Sequence, residues 1–333
     1  MVNNRVTRDV SISIARFLAM IMIISCHMFS YYDNELAHWL NVGVQIFLVI
    51  SGFLYGTKDI SSPIVFLKRN FRKIIIPYWL FLVLAIAGYL LFCPMDLSIS
   101  AIIRAFTCSG TIKGLGHLWF VGYILFCYLI TPYLYGLRKY TEKLPLSTTF
   151  LIYCGLFIAI QLMGFLFDSY FAPDRVSCFV SGFFLADLFK RFSPGQALLL
   201  KVVIVLFAFV INGAEVFVKY YSQITFVGWQ DLVFRALCRY SHLLLGLAIF
   251  LLLYGRFRKG EYCIIWRLSD KYSYPIYLVH QLFILSPLTL MSITDINAIN
   301  WLVVVIAIIF SGVLLYHLAK WAEAFLFQVE RKR

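Results

Sequence analysis

The sequence predicts an all-α integral membrane protein: one bundle of about ten transmembrane helices with both termini in the cytoplasm. Three observations predict this fold. Hydrophobic residues make up 62% of the 333 residues, charged residues only 14%, and the mean hydropathy is +0.85. So little polar surface cannot cover a soluble protein of this size. Apolar stretches recur along the whole chain, and basic residues cluster in alternate connections between them.

The apolar stretches are long enough to be membrane spans. A helix needs about 20 apolar residues to cross a hydrocarbon core of about 30 Å. Ten segments have this character, near residues 10 to 30, 39 to 56, 74 to 93, 118 to 137, 147 to 167, 176 to 190, 199 to 218, 236 to 254, 272 to 291 and 299 to 320. They occupy the chain from end to end, so we expect a single transmembrane domain over residues 1 to 333.

The basic residues predict the orientation of these helices. Of the 29 Lys and Arg residues, 22 lie in the termini and alternate connections on one side, six lie on the other side, and Arg16 lies within the first helix. Cytoplasmic segments carry such an excess, so both termini are expected inside. The net charge of +13 therefore indicates topology rather than nucleic-acid binding. Acids near predicted helix ends, Asp174 and Asp187 among them, are expected to be solvated.

Neither a metal site nor a phosphate loop is predicted. The eight cysteines are scattered singly, with no CxxC pair and no Cys/His spacing suited to zinc. The stretch GTIKGLG at residues 110 to 116 lacks the spacing of a phosphate loop. Before it, the apolar residues between Leu97 and Phe106 predict a short amphipathic helix on the outer membrane surface.

Arg16 and His27 are the first candidates for function, because ionisable side chains inside a bilayer are costly to retain. They lie eleven residues apart, which leaves an angular offset of about 20° and a rise of about 16 Å along a helix. The two residues therefore share one helix face, and a ligand that contacts both must be long and thin. The alternatives are an Arg16 side chain that reaches back to the inner headgroups and a purely structural His27.

Five segments resemble, in the same order, motifs of acyltransferase family 3, a family of membrane proteins that acylate carbohydrates. They are Arg16 with His27 as the R-x10-H signature, GVQIFLVISGF at residues 43 to 53, KRNFRK at residues 68 to 73 with Pro77 as the basic R-x-x-R loop, HLWF at residues 117 to 120, and YPIYLVH at residues 274 to 280. The resemblance covers residues 14 to about 285. Many members carry an additional extracytoplasmic hydrolase-like domain, and its absence here favours a stand-alone enzyme that acts on lipid-linked or growing glycan.

The resemblance implies catalytic roles that agree with the chemistry. Acyl transfer to a sugar hydroxyl needs a base, and histidine has the most suitable ordinary pKa for this role. His27 is therefore the predicted base, near the outer end of its helix. His280 is predicted near mid-membrane, where it would orient or polarise the thioester. A structural role is the alternative for His280.

The resemblance also implies an acyl donor. The family uses acyl coenzyme A, so acetyl-CoA is the predicted co-substrate, with its phosphates entering from the cytoplasm and its thin pantetheine arm passing Arg16. Arg69, Arg72 and Lys73 are predicted to pair with the phosphates at the inner mouth. Simple topology anchoring explains these three cations nearly as well.

Four further residues are predicted to bind the sugar acceptor or to support its binding. Trp119 either stacks on a sugar ring or belongs to an interfacial aromatic belt. His117 precedes it at the entry to the fourth helix. Glu215 is an acid in an apolar segment that would orient His27. Ser51, in a motif with a following glycine, either contacts substrate or serves helix packing alone.

Together these features predict an O-acetyltransferase of a bacterial surface polysaccharide, most similar to O-antigen (lipopolysaccharide) O-acetyltransferases, in the inner membrane. The expected partners are acetyl-CoA, a glycan acceptor and membrane lipids. An acyl group larger than acetyl remains open. The rival interpretation is a secondary transporter or lipid-glycan flippase, although the sequence shows neither inverted repeats nor pairs of helices broken by Gly and Pro.

Overall fold

The structure is a computed structural model that describes residues 9–93, 97–166, 172–221, 227–257 and 262–331. The described part of the chain is helical and contains no strand, so the predicted all-α class is confirmed. Its helices are α1 (Val10–Tyr31), α2 (Leu36–Leu40), α3 (Gly43–Gly56), α4 (Pro63–Phe92), α5 (Ile99–Phe106), α6 (Trp119–Thr141), α7 (Leu146–Leu166), α8 (Pro173–Arg191), α9 (Pro194–Tyr220), α10 (Trp229–Leu253), α11 (Ile264–Ile284) and α12 (Asn297–Arg331).

Many of these helices can span a bilayer. Within the described residues, eight are long and apolar enough: Val10–Tyr31, Leu36–Gly56, Pro63–Phe92, Gly116–Thr141, Leu146–Gly164, Pro194–Tyr220, Trp229–Leu253 and Asn297–Phe327. A membrane protein is thus confirmed. The other two predicted segments correspond to α8 and α11, which are long helices interrupted by charged residues. The number of ten spans and the cytoplasmic position of both termini stay predictions.

Helix α4 begins eleven residues earlier than predicted. Pro63 occupies its first position, and the N–H of Val65 donates to Oγ of Ser62 over 3.5 Å, so the sequence provides both a cap and a favourable first residue. The basic segment at residues 68 to 73 is therefore helical, and its prediction as a loop was wrong. Charged side chains can extend from a helix surface into water while the backbone stays hydrogen-bonded.

Helix α11 is displaced toward the N-terminus relative to the prediction of residues 272 to 291. It ends at Ile284 because Pro287 follows, and proline disfavours helical backbone in the residue before it. The Oγ of Ser286 donates to the carbonyl of Leu282 over 2.5 Å, which satisfies one of the last carbonyl groups. His280 consequently lies one turn before the end of α11, rather than near its middle, and its depth in the membrane stays a prediction.

The short helix predicted between residues 97 and 106 is present as α5. Its last turn is fastened to α4 by two hydrogen bonds: the Tyr78 hydroxyl donates to the Ala105 carbonyl over 2.6 Å, and Nε1 of Trp79 donates to the Phe106 carbonyl over 2.9 Å. The location of α5 on a membrane surface stays a prediction.

Two compact units make up the chain. Unit 1 contains Met1–Ala19, Asn41–Ser61 and Ile130–Trp266, and unit 2 contains Met20–Leu40, Ser62–Leu129 and Arg267–Arg333. Each unit has its own buried residues and is described separately below. The expectation of one domain stays a prediction.

The core of unit 1 depends on close approach of α3 and α8. A Cβ atom added to Gly52 would lie 1.9 Å from the carbonyl oxygen of Phe179, and one added to Gly182 would lie 2.2 Å from that of Val49. Gly56 makes a similar contact one turn after Gly52. Two helix backbones can approach this closely only where side chains are absent. The glycine in the Ser51-Gly52 pair therefore serves helix packing.

Two acids that were expected to be solvated are buried in unit 1. Asp187 is only 1% exposed, and its Oδ2 accepts a hydrogen bond from the Tyr153 hydroxyl over 2.8 Å and lies 3.7 Å from Nη1 of Arg191. Asp174 is also buried. The prediction was wrong for both, because proximity to a helix end does not reveal which neighbouring helix covers the side chain.

In unit 2, a glycine turn fixes the approach to the fourth predicted span. Gly114 has a φ of +78°, and a Cβ atom on it would lie 2.7 Å from Cα of Ser286. A side chain is therefore excluded both by the backbone conformation and by the lack of space. The turn holds the segment that leads to His117 against the end of α11.

Candidate active site

Three histidines from distant parts of the sequence meet in unit 2. His27 lies on α1, His117 in a short 3-10 turn before α6, and His280 on α11. The ring centroids of His27 and His280 are 5.1 Å apart, and those of His117 and His280 are 4.7 Å apart. His117 and His280 are buried, whereas His27 is half-buried. The sequence placed His27 and His280 at different depths, and the structure brings them together.

The ring of His117 is held at both nitrogens. Its backbone N–H donates to Oε1 of Gln281 over 2.6 Å, so this oxygen must be an acceptor. Nδ1 of the ring lies 2.5 Å from the same oxygen, and Nε2 lies 3.0 Å from the carbonyl oxygen of Leu278. Both nitrogens thus face acceptors, of which a neutral ring can donate to only one, and neither nitrogen is open to a substrate. The predicted substrate contact of His117 stays a prediction.

The ring of His280 is held at one nitrogen only. Nδ1 lies 2.5 Å from the carbonyl oxygen of Tyr277, which can only accept, so Nδ1 carries the proton. Nε2 is buried and has no hydrogen-bond partner among the described residues. In the neutral ring, Nε2 therefore presents a lone pair, and no N–H remains to polarise a thioester carbonyl.

Two residues that the sequence analysis did not select support this arrangement. Gln281 fixes His117 as described, and the Tyr277 hydroxyl donates to the carbonyl oxygen of His117 over 2.5 Å. Both are buried. Gln281 is a polar residue directly after His280 in an apolar segment, and this was the signal that could have identified it.

A basic cavity of about 230 Å³ lies elsewhere in unit 2. Its walls come from α4, α11 and α12, and its four cations are Arg72, Lys73, Lys271 and Lys320. These cations come from three segments that the basic-residue distribution predicts on the cytoplasmic side. Glu323 is the one acid among the residues that line the cavity. The cavity therefore has the charge that an anionic group requires.

Aromatic rings hold two of these cations in place. The Arg72 guanidinium lies 3.6 Å from the centroid of the Phe327 ring, and the Lys271 ammonium lies 4.8 Å from that of Tyr316. Lys320 forms an ion pair of 2.6 Å with Glu323. Ring contacts of this kind keep a cation in position without neutralising its charge.

The predicted phosphate-binding residues differ in position. Arg72 and Lys73 line the cavity, whereas Arg69 is exposed and is not among the lining residues. Lys271 and Lys320 line the cavity but were not selected from the sequence. Single lysines near helix ends are common in membrane proteins, so only their convergence distinguishes them.

The other candidates lie as follows. In unit 1, Arg16 on α1 and Ser51 on α3 are half-buried. Glu215 on α9, also in unit 1, is fully buried and accepts a hydrogen bond from the Ser241 hydroxyl. Trp119 is half-buried in unit 2, with its ring 5.6 Å from that of Tyr123. The predicted pairing of Glu215 with His27 stays a prediction.

Comparison with known proteins identifies the family. A family model described as an acyltransferase domain matches residues 9–318. The chain belongs to acyltransferase family 3. No curated protein and no solved structure gives a significant match. The matched region includes all three histidines of the cluster and the Arg72 and Lys271 walls of the cavity.

In a membrane acyltransferase, the donor must be held while its acyl carbon reaches a base. Helix α11 contributes to both parts of this arrangement in unit 2. Lys271 and Tyr274 line the cavity, and His280 belongs to the histidine cluster. His280 lies nine residues after Lys271, which corresponds to about 14 Å along a helix axis. The basic cavity and the histidines are thus separated by a distance that a long, thin molecule can span.

Proposed function

We propose that this acyltransferase transfers an acetyl group from cytoplasmic acetyl-CoA to a sugar hydroxyl of a bacterial surface polysaccharide, with O-antigen as the expected acceptor. The observation that carries the proposal is that one helix, α11, contributes both to a basic cavity and to a histidine cluster. Coenzyme A matches this pair of sites, because its phosphates are anionic and its pantetheine arm is long and thin.

The basic cavity is the proposed phosphate site. Arg72 supplies a planar guanidinium with several N–H donors, and Lys73, Lys271 and Lys320 supply positive charge. In this arrangement, the thioester lies at the other end of the pantetheine arm, near His280. Arg16 is proposed to contact the donor along its route, and Trp119 to contact the sugar.

His27 is the proposed general base. It removes the proton of the acceptor hydroxyl, the hydroxyl oxygen attacks the thioester carbonyl carbon, and the bond from carbon to sulfur breaks. Its half-buried ring suits this role, because a base must be reachable by the acceptor. The site is proposed to lie in the inner membrane of a bacterium, with the cavity toward the cytoplasm.

The test uses membranes that contain the chain, isotopically labelled acetyl-CoA and a polysaccharide acceptor. Mass spectrometry should detect labelled acetyl groups on the glycan only when the chain is present. His27→Ala should lower transfer by about 10² to 10⁴-fold at equal protein level, the usual contribution of a general base. His317→Ala is the matched control, because His317 is exposed and lies outside the cluster.

Two results would contradict the proposal. Glycan acetylation that does not depend on the chain would exclude the activity. Normal transfer by His27→Ala would remove this residue as the base.

A further inference from the structure

The three histidines of the cluster differ in which nitrogen remains available. His117 has both nitrogens engaged, by Gln281 and by the Leu278 carbonyl. His280 has Nδ1 engaged by the Tyr277 carbonyl and Nε2 without a hydrogen-bond partner in the described part of the chain. A buried polar atom normally has a partner, so an unpartnered nitrogen in such a cluster calls for a functional explanation.

We propose that His280 is a second catalytic residue, which receives a proton from His27 through Nε2 and delivers it to the sulfur atom that leaves with coenzyme A. This inference rests on the function proposed above and assigns a step within it. The centroids of the His27 and His280 rings are 5.1 Å apart, so the two rings are neighbours, and the proposed proton transfer passes through one bridging water molecule.

The step balances the reaction. The acceptor loses its hydroxyl proton to His27 as its oxygen bonds to the acyl carbon. The bond between the acyl carbon and sulfur breaks, and the electron pair leaves with sulfur as a thiolate. The proton then passes from His27 to Nε2 of His280 and on to the thiolate, which gives a thiol. Both histidines return to their neutral state, and no oxidant or further reactant is needed.

The hydrogen bonds favour this role over two alternatives. Polarisation of the thioester carbonyl requires a donor, but the one proton of neutral His280 is directed at the Tyr277 carbonyl. His117 does not suit this role, because each of its nitrogens already faces an acceptor oxygen of the protein. His280 is thus the member of the cluster whose buried nitrogen can accept a proton before it donates one.

Gln281 acts as a positioning residue in this arrangement. It fixes the His117 ring, and that ring packs 4.7 Å from His280 at an interplanar angle of 71°. The packing limits rotation of His280 about the contact with its own helix. A glutamate at position 281 keeps an acceptor oxygen for His117, whereas a leucine does not.

The experiment compares two acyl donors that differ in their leaving group. Acetyl-CoA releases an alkyl thiolate that needs a proton, whereas an S-aryl thioacetate releases a much less basic aryl thiolate that does not. The S-aryl donor is supplied at high concentration, because it lacks the phosphates that the basic cavity is proposed to bind. Membranes with equal amounts of each variant are assayed for acetyl transfer to glycan. The variant is His280→Asn, because the asparagine amide preserves the donor to Tyr277 but provides nothing at the position of Nε2.

His280→Asn should lower transfer from acetyl-CoA by about 10²-fold or more and should leave transfer from the S-aryl donor close to the wild-type rate. His27→Asn should lower transfer from both donors, because the acceptor hydroxyl must lose its proton in either case. His317→Asn should match the wild-type chain with both donors. For acetyl-CoA, Gln281→Leu should show a reduced kcat that Gln281→Glu largely recovers.

Equal loss with both donors in His280→Asn would overturn the inference and indicate a structural role. An unchanged rate with acetyl-CoA would overturn it as well. If the wild-type chain transferred acetyl from neither donor, the proposed function itself would fail, and this result is distinct from a selective loss in one variant.

Discussion

The contact between α3 and α8 leads to a prediction for Gly52→Ala. The added Cβ would lie 1.9 Å from the Phe179 carbonyl oxygen, whereas ordinary contact begins at 3.4 Å, so the two helices must separate by about 1.5 Å. Overpacking of a core costs up to about 3 kcal/mol. Alanine recovers about 0.5 to 1 kcal/mol through its higher helix propensity. We therefore expect a net loss of about 2 kcal/mol in the free energy of unfolding.

The measurement is thermal unfolding of the detergent-solubilised protein. The matched control is Gly155→Ala on α7, also in unit 1, where an added Cβ would meet no atom within 4 Å. The control should have an unchanged or slightly raised Tm, and Gly52→Ala should have a Tm several degrees lower. Equal Tm values for the two variants would refute the view that backbone contact between α3 and α8 limits the stability of unit 1.

Three further predictions concern charged residues. Arg72→Ala should raise the KM for acetyl-CoA about tenfold or more, because one charge-assisted hydrogen bond is lost. Arg69→Ala should raise the KM less, and equal effects of the two substitutions would contradict a role for the cavity. Arg16→Lys should insert normally but lower kcat/KM about tenfold, because lysine keeps the charge without the planar donors; full activity would indicate simple charge placement. The positive charge of Lys139 is the largest of the effects that hold the pKa of Asp59 below its ordinary value of 3.8. Ionised Asp59 therefore stabilises the folded state, and this contribution is lost as the pH falls through the lowered pKa. Asp59→Asn should therefore have a lower Tm at pH 7 but not in strong acid, and a difference in Tm that is constant with pH would argue against this ion pair.

The sequence predicted the helices and the family well, because both depend on local patterns. Apolar length identified the long helices, and motifs such as Arg16 with His27 indicated the family. The errors occurred at the ends of helices. The basic segment before Ile74 was interpreted as a loop because its charges outweigh its helical start signals at Ser62 and Pro63. The predicted end of α11 is too late because apolar residues continue past Pro287, whereas the proline itself ends the helix at Ile284.

The candidate site was predicted only in part. His27, His280 and Arg72 were selected, but their neighbours were not, because hydrogen bonds between distant segments leave no periodic signal. Gln281 acquires its role only when the turn before α6 brings His117 to within 2.5 Å of it. Lys271 becomes part of a basic cavity only through the packing of α11 with α4 and α12.

The polar character of α8 and α11 has a consequence for the biosynthesis of the chain. These two long helices fall outside the set that is apolar enough to span a bilayer, and they carry the buried Asp187 and His280. A nascent helix of this kind partitions poorly into lipid by itself. For α8, the sixth predicted span, we therefore expect insertion to depend on simultaneous delivery of α7, whose Tyr153 hydroxyl donates a hydrogen bond to Asp187. Tyr153→Phe, which removes that hydroxyl, should leave a fraction of newly made chains with α8 outside the bilayer. This effect arises during membrane insertion and is separate from the stability of the folded protein.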